Sequence, residues 1–114
     1  MQRDYKVYIQ DILEAINKIE EYANKLSYES FSNNRMVVDA VVRNLEVMGE
    51  VAKNIPLDIK KKYNNVEWKK IIGFRDIVIH AYFGIDLKIV WDIVENKVQE
   101  LKRVIELISK ELKL

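Results

Sequence analysis

The sequence predicts an all-α protein: an antiparallel four-helix bundle with one short extra helix between the second and third long helices. Apolar residues recur at three- and four-residue steps along nearly the whole chain, and no stretch alternates with the two-residue period of a strand. Only three glycines and one proline occur in 114 residues, about half of which are apolar, the composition of a compact helical chain rather than a disordered one. Short connections between successive amphipathic helices make an antiparallel bundle the economical architecture. At this length the chain reads as a single domain, residues 1–114.

The first helix carries Tyr5, Tyr8, Ile9, Ile12, Ile16, Ile19, Ala23 and Leu26 on one side, with Glu14/Lys18 and Glu21/Lys25 as exposed pairs on the other. "SYESFSNN" then breaks the pattern with hydroxyl and amide residues that favour caps and turns. The second helix runs to about Asn54. Its apolar residues, Val37, Val38, Ala40, Val41, Val42, Leu45, Val47, Met48, Val51 and Ala52, spread over more than one stripe, so it is buried on two sides, either centrally or at an oligomer interface. Pro56 ends it and opens a short helix, "PLDIKKKY", where a first-turn position needs no amide donor. Asn64 and Asn65 turn the chain into a third helix, "VEWKKIIGFRDIVIHAYF", with a weak point at Gly73. Gly84 punctuates it and Asp86 offers an N-cap. The long fourth helix turns Leu87, Val90, Trp91, Val94, Val98, Leu101, Ile105, Ile108 and Leu112 inward.

Several chemistries are excluded at once. Without cysteine there are no disulfides, no thiolate nucleophile and no cysteine-ligated metal. A single histidine leaves too few ligands for a zinc site, and Glu46 and Glu50, four apart, read more readily as a salt-bridged surface than as a metal pair. No glycine-rich phosphate loop and no serine nucleophile motif occurs, so no metal or other cofactor is expected. No apolar run approaches the roughly 20 residues of a membrane span, and the start, "MQRDYKVYIQ", lacks the apolar stretch of a secretory signal. A cytoplasmic location is expected, without membrane association. The net charge of +1 exerts no global pull on nucleic acid, so RNA binding would rest on a local patch. Lys60, Lys61, Lys62, Lys69, Lys70 and Arg75 against Asp58, Glu67 and Asp76 supply one; a lysine-rich turn that merely solubilises the chain is the commoner reading.

If the chain catalyses anything, His80 must be near the centre, in "GFRDIVIHAYFG". Asp76 lies four residues before it, on the same helix face, where its carboxylate can accept an imidazole N–H and orient the ring. Arg75 lies about 140° round the helix from His80, yet its long side chain can curl towards a phosphate that the imidazole also touches. Tyr82 cannot share that face, because residues two apart diverge; it belongs on another surface or beyond the helix end. The plainer reading stays open on spacing alone: a helix histidine paired with its aspartate, an arginine in a salt bridge and a packed tyrosine.

Arg75, four residues, His80, one residue, Tyr82 resembles the R-x4-H-x-Y signature of the HepT toxins, a branch of the HEPN ribonuclease superfamily paired with minimal nucleotidyltransferases. The flanking blocks are similar as well. "DAVVRNLEVMGEVAKNIP" (residues 39–56) resembles the family's second helix; "WKKIIGFRDIVIHAYFGID" (residues 68–86), followed by Val90 and Trp91, resembles its third and the entry to its fourth. Asp76 matches the polar residue that often follows the arginine in the superfamily.

The resemblance implies a metal-independent RNA endonuclease that acts as a homodimer, with Arg75 and His80 of two copies meeting across a cleft and Asp76 supporting them. One imidazole would take the 2′-hydroxyl proton, a second would protonate the departing 5′-oxygen, and the guanidinium would offset charge on the phosphorane. Twofold symmetry then explains why one histidine suffices. Asp39, Arg43, Glu46 and Glu50, spaced four, three and four, form a polar stripe that either holds Arg75 and lines the cleft or is ordinary solvated surface. Lys69 and Lys70 are the candidate RNA contacts. The resemblance also implies a type VII toxin–antitoxin pair, in which the cognate nucleotidyltransferase antitoxin silences the toxin by transferring AMP to Tyr82. The competing reading is a non-catalytic helical adaptor or dimerisation partner of that nucleotidyltransferase.

Overall fold

The computed structural model describes residues 4–83 and 86–114, and of residues 81–83 the backbone alone. Among the described residues all regular structure is helical. Helix α1 (Tyr5–Ala23) starts at Asp4, whose carboxylate accepts the Lys6 amide at 2.9 Å. Glu14 and Lys18 pair at 3.3 Å, as their spacing predicts. The second expected pair, Glu21/Lys25, fails for a geometric reason: the helix ends at Ala23 and Lys25 adopts a left-handed φ of 65°, beyond the reach of an i,i+4 register.

The "SYESFSNN" segment is more than a turn. Ser27 and Ser30 each accept the other's amide, at 3.1 and 2.9 Å, a capping box that starts the short helix α2 (Tyr28–Ser32). That turn aims Phe31 inward, where it is fully buried with its ring 4.9 Å from Trp91. Helix α3 (Arg35–Asn54) follows, with Asn34 accepting the Val37 amide at 3.2 Å. It packs against α1 on one side and α5 on the other, so its double apolar stripe reflects a central position within the chain. Pro56 caps the short helix α4 (Leu57–Lys62).

Helix α5 (Trp68–Phe83) runs through Gly73 without a break, so the expected weak point is absent. The Trp68 indole N–H donates to the Tyr63 carbonyl at 3.1 Å and fixes the start of the helix against the preceding turn. Helix α6 (Leu87–Asp92) passes through a π-helical turn (Ile93–Lys97) into α7 (Val98–Glu111). Asp86 stands at the N-cap position but its side chain makes no capping hydrogen bond, contrary to the sequence expectation. In the π turn the Val98 amide reaches back five residues to the Ile93 carbonyl.

The buried residues form one cluster drawn from every long helix: Ile9, Ile12, Ile16 and Ile19 of α1, Val38, Val41, Leu45 and Met48 of α3, Ile71 and Val78 of α5, and Val98 and Ile105 of α7. No polar or charged side chain among the described residues is buried with them. Each large side chain removed from water contributes about 1.5–3 kcal/mol, which makes this cluster the main source of stability. It places α3 as a backing for α5, and α5 carries the motif.

One glycine governs that backing. A Cβ added at Gly49 of α3 would lie 3.1 Å from the Ile71 carbonyl oxygen, 3.2 Å from that of Ile72 and 3.4 Å from the Arg75 Cβ. The two helices approach at backbone distance there. A helix-interior glycine costs about 1 kcal/mol relative to alanine, and here the close crossing offsets it.

Candidate active site

Helix α5 has apolar residues on nearly every side. Ile71, Phe74 and Val78 are buried against the core, Ile72 and Ile79 are half-buried, and Ile77 is 42 % exposed. A helix of this kind is not satisfied by one packing face, and its polar residues stand in narrow gaps between the apolar ones.

Arg75 occupies the flank that faces α3. Its Nη1 donates to Glu50 Oε2 at 3.4 Å, with both side chains 55 % exposed. An ion pair so open to water is worth at most about 1 kcal/mol. The guanidinium is therefore steered by Glu50 while the backbone beneath it is set by the Gly49 crossing. Of the polar stripe on α3, Glu50 is the member that meets Arg75. Glu46, one turn earlier, is half-buried; Arg43 is exposed; Asp39 pairs with Arg35 at 3.4 Å near the helix start.

His80 stands elsewhere. It is exposed, and lies about 160° round the helix from the fully buried Val78 and about 140° from Arg75. Asp76 is also exposed, on the same face one turn away, yet no hydrogen bond joins it to His80. Lys69 and Gly73 continue this face towards the start of α5, at i−11 and i−7 from His80. A Cβ added at Gly73 would meet nothing within 4 Å, so the face is open along its length. Lys69 is exposed on it. Lys70 is turned about 100° away and pairs with Glu67 at 2.5 Å; the hydrogen bond to Glu67 holds its ammonium pKa above the usual lysine value. The two lysines are thus unequal, Lys69 lying about three turns from the histidine on the same face of α5 and Lys70 neutralised locally by Glu67. The side chain of Tyr82, the expected AMP acceptor, and Gly84 lie outside the described residues; the Tyr82 backbone belongs to the last turn of α5.

Adjoining the His80 face, a groove of about 460 Å³ runs between α5 and the α6–α7 rod; Lys69 and Gly73 line it together with Phe74, Ile77, Ile89 and Leu101. Among the described residues, no group of three or more histidine, aspartate or glutamate side chains is placed to hold a metal ion. No helix of the described residues is long and apolar enough to cross a membrane.

Chemically, one chain offers an imidazole on an open face and a guanidinium on the adjoining flank. An imidazole can serve as a general acid or base, and a guanidinium can neutralise charge on a phosphate. Gly49, where α3 and α5 approach at backbone distance beside Arg75, is the residue of this region that spacing does not reveal. Its only trace in the sequence is a glycine inside a strongly helical stretch, a place where a close approach is the usual physical reason.

Residues 12–108 match the sequence profile of a family described as "Ribonuclease HepT-like". Relatives with 39–41 % identity span nearly all of the chain. "Putative RNase MJ1380" of Methanocaldococcus jannaschii is 41 % identical over 107 residues, 94 % of this chain and 98 % of that protein. "Probable ribonuclease HepT" of Thermococcus cleftensis is 39 % identical over 110 residues, 96 % of this chain and 100 % of that protein. A third, "Gamma-glutamylcyclotransferase and putative RNase MJ0434" of Methanocaldococcus jannaschii, is 40 % identical over 112 residues, and there the chain spans only half of the relative's length. No solved structure matches.

Proposed function

The chain belongs to the HepT-like ribonuclease family, and from that premise we propose that it is a metal-independent endoribonuclease whose active site is completed by a second copy of itself. The four long helical stretches are read as the antiparallel four-helix bundle of HEPN type. The observation that carries the reading is the pairing, on one helix, of an exposed imidazole, His80, with a guanidinium, Arg75, held at its flank by Glu50.

Cleavage by this pair needs two proton transfers. The ribose 2′-oxygen attacks the adjacent phosphorus as one neutral imidazole takes its proton; the bond from phosphorus to the 5′-oxygen breaks as an imidazolium donates a proton to the leaving oxygen. The products are a 2′,3′-cyclic phosphate and a 5′-hydroxyl. One imidazole cannot be base and acid in the same step, and a twofold dimer supplies the second. Arg75 offsets the charge that accumulates on the non-bridging oxygens. Asp76, one turn from His80, would orient the imidazole once the face is covered and water is excluded. Lys69, open on the same face, is the better placed of the two candidate lysines to meet an RNA phosphate.

The reading extends to control. As the toxin of a type VII pair, the chain would be silenced by its cognate minimal nucleotidyltransferase: the Tyr82 hydroxyl attacks the α-phosphorus of ATP, pyrophosphate leaves, and the AMP adduct brings a negative charge and bulk to the end of α5. Mass spectrometry after incubation with that enzyme and ATP checks the step, and an unmodified Tyr82 contradicts it.

The function itself is tested with purified protein and cellular RNA. Cleavage is expected in the presence of EDTA and falls by about a hundredfold or more in His80→Ala and Arg75→Ala variants that remain folded dimers. Intact RNA with the unaltered protein, or cleavage by the alanine variants at an unchanged rate, overturns it in favour of the non-catalytic adaptor.

A further inference from the structure

We infer that Gly49 is a positioning residue for Arg75: by bringing the α5 backbone against α3, it sets where the guanidinium stands, and so serves the cleavage reaction from a different helix. The inference rests on the ribonuclease reading for its catalytic consequence, though not for its geometry.

Three distances converge at this crossing. The space a Cβ would take at Gly49 is bounded by two main-chain oxygens of α5, at 3.1 and 3.2 Å, and by the Arg75 Cβ at 3.4 Å. Main-chain oxygens in a helix cannot swing aside as a flexible side chain would, so an alanine methyl requires the crossing of α3 and α5 to give by a few tenths of an ångström. The third contact is with the root of the Arg75 side chain itself. Any shift that relieves the carbonyls also moves Arg75 relative to Glu50, the residue following Gly49 in α3.

The ion pair cannot do this positioning alone. Arg75 and Glu50 meet at 3.4 Å with more than half of each side chain in water, an arrangement too weak to hold a helix in place. Close packing at Gly49 is the stiffer constraint, and the pair adds direction at the tip. His80 is exposed on the far side of α5 from this crossing, so Gly49 borders the Arg75 flank and not the His80 face.

A double-mutant cycle tests the inference. Gly49→Ala is expected to lower kcat by up to about tenfold, below the roughly hundredfold loss that a displacement of about an ångström would bring. In an Arg75→Ala background the same change is expected to lower the residual rate no further. Equal losses in both backgrounds would mean that Gly49 serves stability alone, and an unchanged kcat would mean that the crossing does not set Arg75; either overturns the inference. If the unaltered protein cleaves no RNA, the ribonuclease reading fails and the geometry is judged by NMR on the wild-type chain. A cross-peak between the Gly49 α-protons and the Arg75 β-protons is expected, together with an Arg75 Nε resonance that moves in Gly49→Ala. The wild-type cross-peak also decides the matter if Gly49→Ala does not fold, and its absence overturns the inference.

Discussion

Two sides of α5 are organised differently. On one flank Arg75 is placed by its own chain: Gly49 admits the α5 backbone against α3, and Glu50 meets the guanidinium at 3.4 Å. On the opposite side Lys69, Asp76 and His80 stand exposed, Gly73 has nothing within 4 Å of a would-be Cβ, and no hydrogen bond ties the histidine to its neighbouring aspartate. The two interior glycines mark the contrast. At Gly49 the missing side chain is filled by another helix, whereas at Gly73 nothing among the described residues fills it. A group that stabilises charge gains from being fixed before the substrate arrives, because reorganisation during the reaction is then avoided. On the proposed reading, a proton carrier whose counterpart comes from a second copy is completed only on assembly.

The largest expected effect is on the open side. His80→Ala should reduce RNA cleavage by about 10²–10⁴-fold, the usual contribution of general acid–base groups, while leaving stability within about 0.5 kcal/mol, since the side chain is exposed. A stability loss of several kcal/mol, measured by denaturant unfolding, would show that His80 is structural after all. On the braced side Glu50→Gln should give a smaller drop in kcat, roughly tenfold or less, with little change in unfolding midpoint, in keeping with the modest strength of an exposed pair. Gly73→Ala separates the two glycines: it should stabilise the isolated chain by about 1 kcal/mol, because the added methyl enters empty space and improves helix propensity. A destabilised Gly73→Ala would show that its surroundings are as tight as those of Gly49. The smallest effect concerns the two lysines. Lys69→Ala should lower the salt dependence of RNA binding by about one counterion, and Lys70→Ala, already paired with Glu67, by less. Equal slopes in a titration of affinity against salt would erase that distinction.

Much of the helical layout is legible in the sequence because it follows from period alone. The apolar residues of α1 and the doubly apolar α3 announce themselves, and the 3–4 spacing of Val90, Val94, Val98 and Leu101 marks the last rod. The same spacing hides the π turn, since its reading passes through residues 93–97 without a signal. Helix α2 was hidden for another reason: a five-residue helix has no period to read, and only the mutual capping of Ser27 and Ser30 and the burial of Phe31 define it. The motif residues could be found by spacing and resemblance, but their surroundings could not. That Glu50, rather than Asp39, meets Arg75 depends on where α3 and α5 cross, and that Asp76 leaves His80 unbonded depends on both being open to water. Lys69 and Lys70 are adjacent in the chain and differ because helix geometry sends one to the open face and the other to Glu67.

The central claim is that Arg75 and His80 cleave RNA by attack of a ribose 2′-oxygen, and the most direct measurement compares one RNA oligonucleotide with the same molecule carrying a single 2′-deoxyribose on the 5′ side of the scissile phosphate. Cleavage of the first, leaving a 2′,3′-cyclic phosphate and a 5′-hydroxyl, with no cleavage at the modified position of the second, is the predicted result. Equal cleavage of both, or products ending in a 3′-hydroxyl, would contradict it.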